Sequence, residues 1–393
     1  MTKSEIRMTN NSPRGLIICL TVALLLRLAF VLIGFPFLQR QWNLREDGDE
    51  YGAVAQTMRE GHYDDVTRGP VYPVFVAVAG SPICVKLLQT LLDVATCFLI
   101  YWLAGRNIYA AWLWAVYPFA IWRVAFINKE VVLAFLLAGY VCLQLLALRE
   151  GKVWQWLAAG GLLGVVNLCK PTFLAWPVVL FALAFLHRRS LMRVVALVAA
   201  LVLIVVPWTW RNFRVTGGAL IPVAIERGGV TTFVGNYQPT LGLWEGPGKV
   251  RWQAAVDEIK QQHAGASIVE LDRAFYRAAW EQARSNPSKA VELFVRKCGR
   301  FWFLSAARRE QAASFAIQAA YLALLGVGLW RLRPWSLPIV ILVTLILYVM
   351  LLHAVSYADL RFSLPVMPLV CVLAGAAFQA NRRSTDATLS AAC

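Results

Sequence analysis

The chain carries near its beginning the stretch GLIICLTVALLLRLAFVLIGFPF, which occupies residues 15–37. This stretch contains one charged residue, Arg27, and is long enough to cross about 30 Å of hydrocarbon as a helix. Apolar stretches of similar length recur along the 393 residues, of which 59% are hydrophobic and 15% are charged. Because backbone groups in lipid must be satisfied within a helix or a closed barrel, continuous apolar runs favour helices. The sequence therefore predicts an all-α polytopic membrane protein.

Hydropathy divides the chain into ten predicted transmembrane spans. We place them at residues 15–37, 83–103, 108–126, 130–148, 153–169, 172–186, 192–210, 312–330, 336–354 and 364–380. The chain then consists of an N-terminal membrane module (1–210), a small outer segment between spans seven and eight (211–311), and C-terminal membrane helices with a tail (312–393). The first apolar run continues past Arg27 without a small-residue cleavage site, so a cleavable signal peptide is not expected.

The net charge of +16 is distributed mostly over short loops, which is typical of a membrane protein and not of a nucleic-acid-binding protein. If the spans alternate in direction, the basic loops all lie on one side of the membrane, and the positive-inside rule makes that side cytoplasmic. The residues concerned are Lys3, Arg7, Arg14, Arg106, Arg149, Lys152, Arg188, Arg189, Arg193, Arg331, Arg333, Arg382 and Arg383. The rule predicts a multi-pass protein of the cytoplasmic (inner) membrane with both termini in the cytoplasm.

The first outer loop, residues 38–82, carries the acidic cluster Glu46-Asp47-Gly48-Asp49-Glu50-Tyr51. An amphipathic stretch follows from Asp49 to His62, and we expect it to form a helix in the membrane interface. The acids fit equally well as the N-cap and N-terminal charges of that helix or as catalytic groups. The two roles are compatible.

The second outer segment, residues 211–311, opens with glycine-rich, β-branched sequence. A helical pattern then runs from Val250 to Arg284 and ends at Asn286-Pro287. Another amphipathic helix is predicted from Ser288 to Phe303.

Two charges lie deep within predicted spans. Arg27 is about 12 residues into the first span and Asp93 about 10 residues into the second, which at roughly 1.5 Å per residue places both near mid-depth. An unpaired charge at that depth costs several kcal/mol, so we expect the two side chains to pair. We favour a structural tie between helices over a functional ion site.

Further charges collect where spans end on the outer side: Lys129, Glu130, Lys170, Arg211, Asp359 and Arg361. Any one of them alone is more often an anchor whose charged end reaches toward water. Together they predict a membrane-level cavity for an anionic lipid. A carboxylate there would act as general base on an acceptor hydroxyl, and lysine or arginine would hold a lipid-linked phosphate and stabilise its charge as it leaves.

The same residues stand in a recognisable order. The longest stretch begins at Asp47-Gly-Asp-Glu-Tyr51 and continues to the turn Pro70-Val-Tyr72-Pro73. Further pieces are Glu130, Lys170-Pro171-Thr172, Pro207-Trp208-Thr209-Trp210-Arg211-Asn212, Gly235-Asn236 and Arg361-Phe362-Ser363-Leu364-Pro365. Over about residues 15–380 the chain resembles the polyprenyl-phosphate-sugar glycosyltransferases of the membrane-embedded C-type fold. It is similar to bacterial members of glycosyltransferase family 39, which include proteins similar to protein O-mannosyltransferases and the aminoarabinose transferase of lipid A.

The resemblance implies roles for individual residues. Asp47 matches the first-loop acid that acts as general base, and Asp49 and Glu50 are the alternatives if the register shifts. Glu130 matches the second-loop acid that orients the acceptor or a cation. The cations assigned to the donor phosphate are Lys170, Arg361, Arg68, Lys129 and Arg211.

The resemblance also implies an activity: an inverting transfer of a sugar from a polyprenyl-phosphate donor to a hydroxyl of an envelope lipid, glycan or protein, on the outer face of the membrane. Some relatives bind a divalent metal ion and others need none; if an ion is present, Asp47 and Glu130 would hold it. The eight cysteines show neither a disulfide framework nor a zinc spacing.

Two other classes of protein share the apolar bulk and the basic cavity. A transporter or flippase of lipid-linked glycan intermediates more often has helices broken at mid-depth and internal repeats, and neither is obvious in this sequence. A non-catalytic membrane subunit of an envelope-polysaccharide complex would not require the acidic cluster.

Overall fold

The structure, a computed structural model, describes residues 13–42, 48–244, 249–303 and 311–379. Regular structure in these residues is helical, and none of them forms a β-strand. Among them, seven helices are long and apolar enough to cross a membrane. These are Pro13–Gln41, Pro82–Leu103, Glu130–Glu150, Leu191–Val215, Ala312–Arg331, Leu337–Val355 and Leu360–Phe378. The described residues thus agree with the predicted polytopic, all-α membrane protein.

We number the α-helices in chain order. The first eleven are α1 (Pro13–Ala29), α2 (Phe35–Trp42), α3 (Gly48–Arg59), α4 (Val71–Ala79), α5 (Pro82–Leu103), α6 (Ile108–Ala115), α7 (Pro118–Arg123), α8 (Glu130–Glu150), α9 (Val153–Cys169), α10 (Trp176–Leu186) and α11 (Leu191–Val215). The others are α12 (Gly228–Asn236), α13 (Lys249–Gln262), α14 (Ile268–Ser285), α15 (Pro287–Phe303), α16 (Gln311–Arg331), α17 (Leu337–Val355) and α18 (Met367–Ala374). A π-helical turn, Phe30–Gly34, joins α1 to α2, and a 3-10 helix, Leu360–Val366, leads into α18.

Three of the ten predicted spans are not among these seven long helices. Helices α9 and α10 are apolar but have only 17 and 11 residues. The stretch 108–126, predicted as one span, instead forms the short helices α6 and α7. The break lies at Tyr117, which is extended (ψ 112°) because the ring of Pro118 disfavours helical backbone at the preceding residue. The count of ten crossings therefore stays a prediction.

Helix α9 packs closely against α11 through two glycines. A Cβ at Gly160 would lie 2.0 Å from the carbonyl oxygen of Leu197, and a Cβ at Gly164 would lie 2.7 Å from the Cβ of Ile204. Small residues four positions apart allow membrane helices to approach, and close packing then stabilises their association. The end of α9, which leads into Lys170, is thereby held against α11.

The predicted ion pair between Arg27 and Asp93 is confirmed. Both residues are completely buried, and the Arg27 Nε donates a hydrogen bond to Asp93 Oδ2. The guanidinium also donates to the backbone carbonyl oxygens of Ala115 (2.8 Å) and Trp114 (3.1 Å). These bonds tie α1, α5 and α6 together, which is the structural role that the sequence favoured.

Two of the predicted basic loops are neighbours in the structure. The side chain of Arg193 packs against Gly151, so the loops at 149–152 and 188–193 lie together. Helix α8 begins at Glu130 and ends at this pair of loops. Arg331 Nη1 donates to the carbonyl oxygen of Gln379 at 2.6 Å, which joins a third basic loop to the end of the last helix. The side of the membrane that these loops face stays a prediction.

The second outer segment is helical, with one difference from the prediction. The pattern predicted as continuous from Val250 to Arg284 forms two helices, α13 and α14. Gly265, at φ 84°, makes the turn between them, and a capping box formed by Ser267 and Glu270 begins α14. Helix α15 matches the predicted helix after Asn286-Pro287.

Candidate functional site

The helix predicted for the first outer loop is present as α3, and its location in the membrane interface stays a prediction. It begins at Gly48, so Asp49 belongs to its first turn, whereas Asp47 lies outside the described residues. The Glu50 carboxylate forms an ion pair with Arg68 and lies 3.7 Å from the guanidinium of Arg227. Glu50 is therefore engaged with cations, and the choice of base between Asp47 and Asp49 stays open.

Tyr51 lies beneath these charges. Its ring is 6% exposed and the Arg68 guanidinium lies 4.4 Å above its centre. Burial raises the pKa of Tyr51 to about 12, with Lys129 opposing the effect and Glu226 adding to it. Tyr51 is thus a neutral phenol that connects the first outer loop to the charges at the beginning of α8.

Lys129 and Glu130 begin α8 and are both buried, at 9% and 5% exposure. Lys129 Nζ donates to the carboxylate of Glu226 in an ion pair. Burial is the largest single influence and acts to lower the pKa of Lys129, but the charge and hydrogen bond of Glu226 together with Tyr51 hold that pKa above its ordinary value. Lys129 is consequently cationic and already has a protein carboxylate as its partner.

The backbone around Glu226 explains how that carboxylate reaches Lys129. Glu226 and Arg227 both have left-handed conformations, at φ 54° and 52°, which are uncommon for residues other than glycine. Two backbone hydrogen bonds hold this turn against the first outer loop: Ile225 N–H donates to Val66 O (3.0 Å) and Glu226 N–H donates to Thr67 O (2.9 Å). Such strained turns persist where the surroundings determine them fully, and they occur often at functional sites.

Lys170 and Arg361 both lie against one aromatic ring, that of Phe362. Lys170 Nζ is 4.3 Å and Arg361 Cζ 4.9 Å from the centre of the Phe362 ring. Lys170 follows the last residue of α9 in an extended conformation, which Pro171 favours, and Asp359 caps the 3-10 helix that carries Arg361. Burial, together with the charge of Lys129, lowers the pKa of Lys170 to about 8. Lys170 forms no ion pair with any carboxylate of the described residues.

These charges form one cluster. The Glu130 carboxylate interacts with the positive charges of Arg361, Lys170, Arg123 and Lys129. Lys170 in turn interacts with Lys129, Glu130, Glu226 and Arg361. Four of the residues predicted from the sequence, Lys129, Glu130, Lys170 and Arg361, therefore meet at one end of the bundle, and Tyr51 links Arg68 to them.

Arg211, also assigned to the donor phosphate, has a different environment. Its guanidinium lies 4.7 Å from the ring centre of Tyr63 and 4.8 Å from that of Trp208, and the two rings contact each other. It donates hydrogen bonds to Asp65 O (3.0 Å) and Asn212 Oδ1 (2.9 Å). Tyr63 continues the connection by donating to Arg68 O at 3.1 Å. Arg211 thus holds the first outer loop in place at the edge of the charge cluster.

The sequence did not point to Glu226 or His353. His353 is 9% exposed, stacks on Phe362 with ring centres 4.5 Å apart, and is influenced by the charges of Lys170 and Arg361. In the sequence His353 is a single polar residue near the end of an apolar run, which is a weak signal. Glu226 lies in an unpatterned turn, and only the loop contacts reveal its partner.

A buried lysine connects the second outer segment to the membrane helices. Lys297 Nζ donates to Asn236 Oδ1 (2.8 Å) and to the carbonyl oxygens of Val355 and Ser356 (both 3.1 Å). Burial lowers the pKa of Lys297 to about 8. Gly235 permits this approach, because a Cβ there would lie 2.2 Å from Ser356 O. The contact holds the end of α17, shortly before Arg361.

Metal binding is not indicated by the residues that the structure describes. They include no group of three or more His, Cys, Asp or Glu side chains arranged to hold an ion. Asp47, one of the two predicted metal ligands, lies outside those residues, so the possible divalent ion at Asp47 and Glu130 stays a prediction.

The comparisons with known proteins add no assignment. No protein-family model matches the chain, and no curated protein matches it at a significant level. The resemblance to lipid-dependent glycosyltransferases therefore depends on the sequence motifs alone. Chemically, the cluster offers cations for an anion at membrane level, with the Glu130 carboxylate beside them.

Proposed function

We propose that the protein is an inverting glycosyltransferase that moves a sugar from a polyprenyl-phosphate donor to a hydroxyl of an envelope acceptor. The observation that carries the proposal is that Lys170 and Arg361 both contact the ring of Phe362 and that their charges act on the carboxylate of Glu130. Lys170 and Arg361 are far apart in the sequence. If they only anchored helix ends at the membrane surface, we would not expect both to interact with the carboxylate of Glu130. A cationic pair at membrane level matches the chemistry of a lipid phosphate.

The proposed reaction is a single displacement. A first-loop carboxylate, Asp47 or Asp49, takes the proton of the acceptor hydroxyl as its oxygen attacks the anomeric carbon. The bond between that carbon and the phosphate oxygen breaks, and polyprenyl phosphate leaves with the electron pair. Lys170 and Arg361 stabilise the charge that develops on the phosphate. Glu130 orients the acceptor, and attack opposite the leaving group inverts the anomeric configuration.

The finer topology belongs to the same proposal. We place the chain in the cytoplasmic membrane as a C-type glycosyltransferase with ten crossings, both termini in the cytoplasm and the site on the periplasmic or extracellular side. The separation of the basic loops from the charge cluster supports this orientation, because basic residues favour the cytoplasmic side. An accessibility assay on single cysteines introduced at Arg149 and Arg227 would test it, with labelling expected from opposite sides.

The activity can be tested with a donor isolated from cells that lack the protein. The lipid-linked sugar that accumulates there is identified by mass spectrometry and supplied to the purified protein in nanodiscs. We expect polyprenyl monophosphate to be released only when an acceptor hydroxyl is present. Lys170→Ala should weaken donor binding by about 1.5–3 kcal/mol, the usual value of a charged hydrogen bond. Lys260→Ala, on the exposed face of α13, is the control and should bind the donor normally.

An assay of the same protein in proteoliposomes separates a transferase from a transporter or flippase of lipid-linked glycan intermediates. A flippase would move the donor between leaflets of a proteoliposome and leave it chemically intact. Transbilayer movement without release of polyprenyl phosphate would contradict the proposal.

A further inference from the structure

A second polar site lies at the basic end of the bundle, away from Glu130. It is a cleft bordered by α8, α9, α10, α11 and α17. Arg189 and Ser190 are exposed and form its open end, next to the half-buried Arg193. Apolar side chains such as Leu180 and Ile341 form its walls, and its volume is about 30 Å³. This is space for a slender chain or a small polar group of about two water-sized units.

Two buried side chains in this cleft have polar atoms without a hydrogen-bond partner in the described chain. Gln144 is 1% exposed, and neither its amide nitrogen nor its amide oxygen is hydrogen-bonded. Trp156 is 4% exposed, and its indole Nε1 likewise has no acceptor. Buried polar groups in folded proteins are nearly always satisfied, so each exception requires an explanation, such as a bound molecule. Both side chains line the cleft.

The surroundings of the cleft place its open end at the membrane surface. Large apolar side chains next to the two arginines are exposed: Phe185 (73%), Leu186 (72%) and Met192 (72%). Such side chains are favourable in contact with acyl chains, and the neighbouring Arg189 and Arg193 then lie at the level of lipid headgroups. Among the described residues that line the cleft, none is acidic. The opening is therefore complementary to a negative charge.

We propose that this cleft binds an anionic diacyl glycerophospholipid. The phosphate lies between Arg189 and Arg193, and one ester carbonyl group enters the cleft. Its oxygen then accepts hydrogen bonds from Gln144 Nε2 and Trp156 Nε1, while the acyl chains lie outside the cleft along the exposed side chains of Phe185, Leu186 and Met192. Basic pockets between transmembrane helices on the cytoplasmic side bind anionic headgroups in this manner.

The lipid site is separate from the proposed catalytic site and does not depend on it. Gln144 lies 14 residues (144 − 130) after Glu130 on the same helix, which corresponds to about 21 Å along its axis. A bound lipid would also contact both α9 and α11, the helices that Gly160 holds together. The site therefore concerns a structural lipid and not the sugar donor.

Native mass spectrometry of the full-length protein in detergent tests the proposal. We expect phosphatidylglycerol to be retained in preference to phosphatidylcholine. Arg193→Gln should weaken retention of phosphatidylglycerol about fivefold, the effect of one cationic residue at an anionic headgroup. Arg188→Gln removes a neighbouring exposed arginine that does not line the cleft, and it should bind the lipid as the unchanged protein does.

A second variant distinguishes ligand binding from a purely structural role. Gln144→Leu removes both unsatisfied atoms and keeps a similar volume, so the lipid-free protein should remain folded with an equal or higher melting temperature. We expect it nevertheless to lose several-fold in affinity for phosphatidylglycerol. Unchanged lipid affinity in both Arg193→Gln and Gln144→Leu would overturn the proposal. Equal loss in Arg188→Gln, or competition by inorganic phosphate as strong as that by the lipid, would overturn it as well.

Discussion

Lys129 forms an ion pair with Glu226, a residue 97 positions further along the chain. The two side chains are 11% and 21% exposed, so the pair is largely removed from water. It joins the beginning of α8 to the second outer segment. Because Lys129 also lies beside Glu130, the pair determines how the outer segment is placed over the charge cluster.

Replacing Glu226 with glutamine should destabilise the fold. The change leaves the Lys129 ammonium without its counter-charge, and we expect the free energy of unfolding to fall by about 1–3 kcal/mol. Thermal unfolding in detergent measures the effect. Arg227→Gln changes the adjacent exposed residue and serves as the control. Equal loss in both variants would show that the turn, and not the ion pair, is responsible.

Donor binding should depend on pH through Lys170. The pKa of Lys170 is lowered to about 8, so its ammonium is present below that pH and is lost as the pH rises through it. If the donor phosphate binds the charged form, affinity at pH 9 should be about tenfold weaker than at pH 7. Titration of the purified protein with a polyprenyl phosphate measures this. Lys170→Arg stays charged over that range, so a pH dependence that persists in it would contradict the assignment.

The catalytic base can be identified by paired substitutions in the first outer loop. We expect Asp47→Asn to lower transfer by orders of magnitude while leaving the fold intact, because an amide cannot accept the proton of the hydroxyl. If Asp49 is the base, the loss will instead appear in Asp49→Asn. Glu50→Gln is the comparison, since Glu50 is paired with Arg68. Full transfer activity in all three variants would contradict the proposed mechanism.

Replacing one partner of the buried ion pair between Arg27 and Asp93 should destabilise the protein more than replacing both partners. Asp93→Asn leaves Arg27 as an uncompensated charge at a completely buried position, and such losses are about 3–5 kcal/mol. The double variant Arg27→Leu with Asp93→Leu should lose less, because no charge remains. Unfolding in mixed detergent micelles compares the variants. A double variant less stable than Asp93→Asn would contradict the argument.

Two adjacent glycines of α9 provide a matched test of helix packing. A Cβ at Gly160 would lie 2.0 Å from Leu197 O, whereas a Cβ at Gly161 would meet nothing within 4 Å. Gly160→Ala should therefore force α9 and α11 apart and destabilise the protein by about 1–3 kcal/mol. Gly161→Ala should be neutral or slightly stabilising, since alanine favours helix. Both melting temperatures are measured in detergent, and equal values would rule out the close approach.

Much of the fold followed from hydropathy, because a helix in lipid must be apolar over its full length. The pairing of Arg27 with Asp93 was predictable for the same reason: residue counts from the span ends give their depths. The division of 108–126 into α6 and α7 was missed, although Tyr117-Pro118 carries the signal. The apolar character of the stretch outweighed one proline in the prediction.

The candidate site was predictable only in part. Glu130, Lys170 and Arg361 lie next to helix ends on one side, so alternating spans are enough to bring them together. Glu226 was not predictable, because its position depends on two left-handed residues and on contacts with a distant loop. Its carboxylate is one of several in an outer segment without a motif.

The main-chain hydrogen bonds from Ile225 and Glu226 to Val66 and Thr67 join the second outer segment to the first outer loop without using any side chain. Every amino acid except proline supplies the donor that each bond needs. Homologues could therefore exchange residue 225 for most other amino acids and keep both bonds, whereas residue 226 must also keep a carboxylate for Lys129. Relatedness among such proteins would be easier to detect from backbone geometry than from sequence identity.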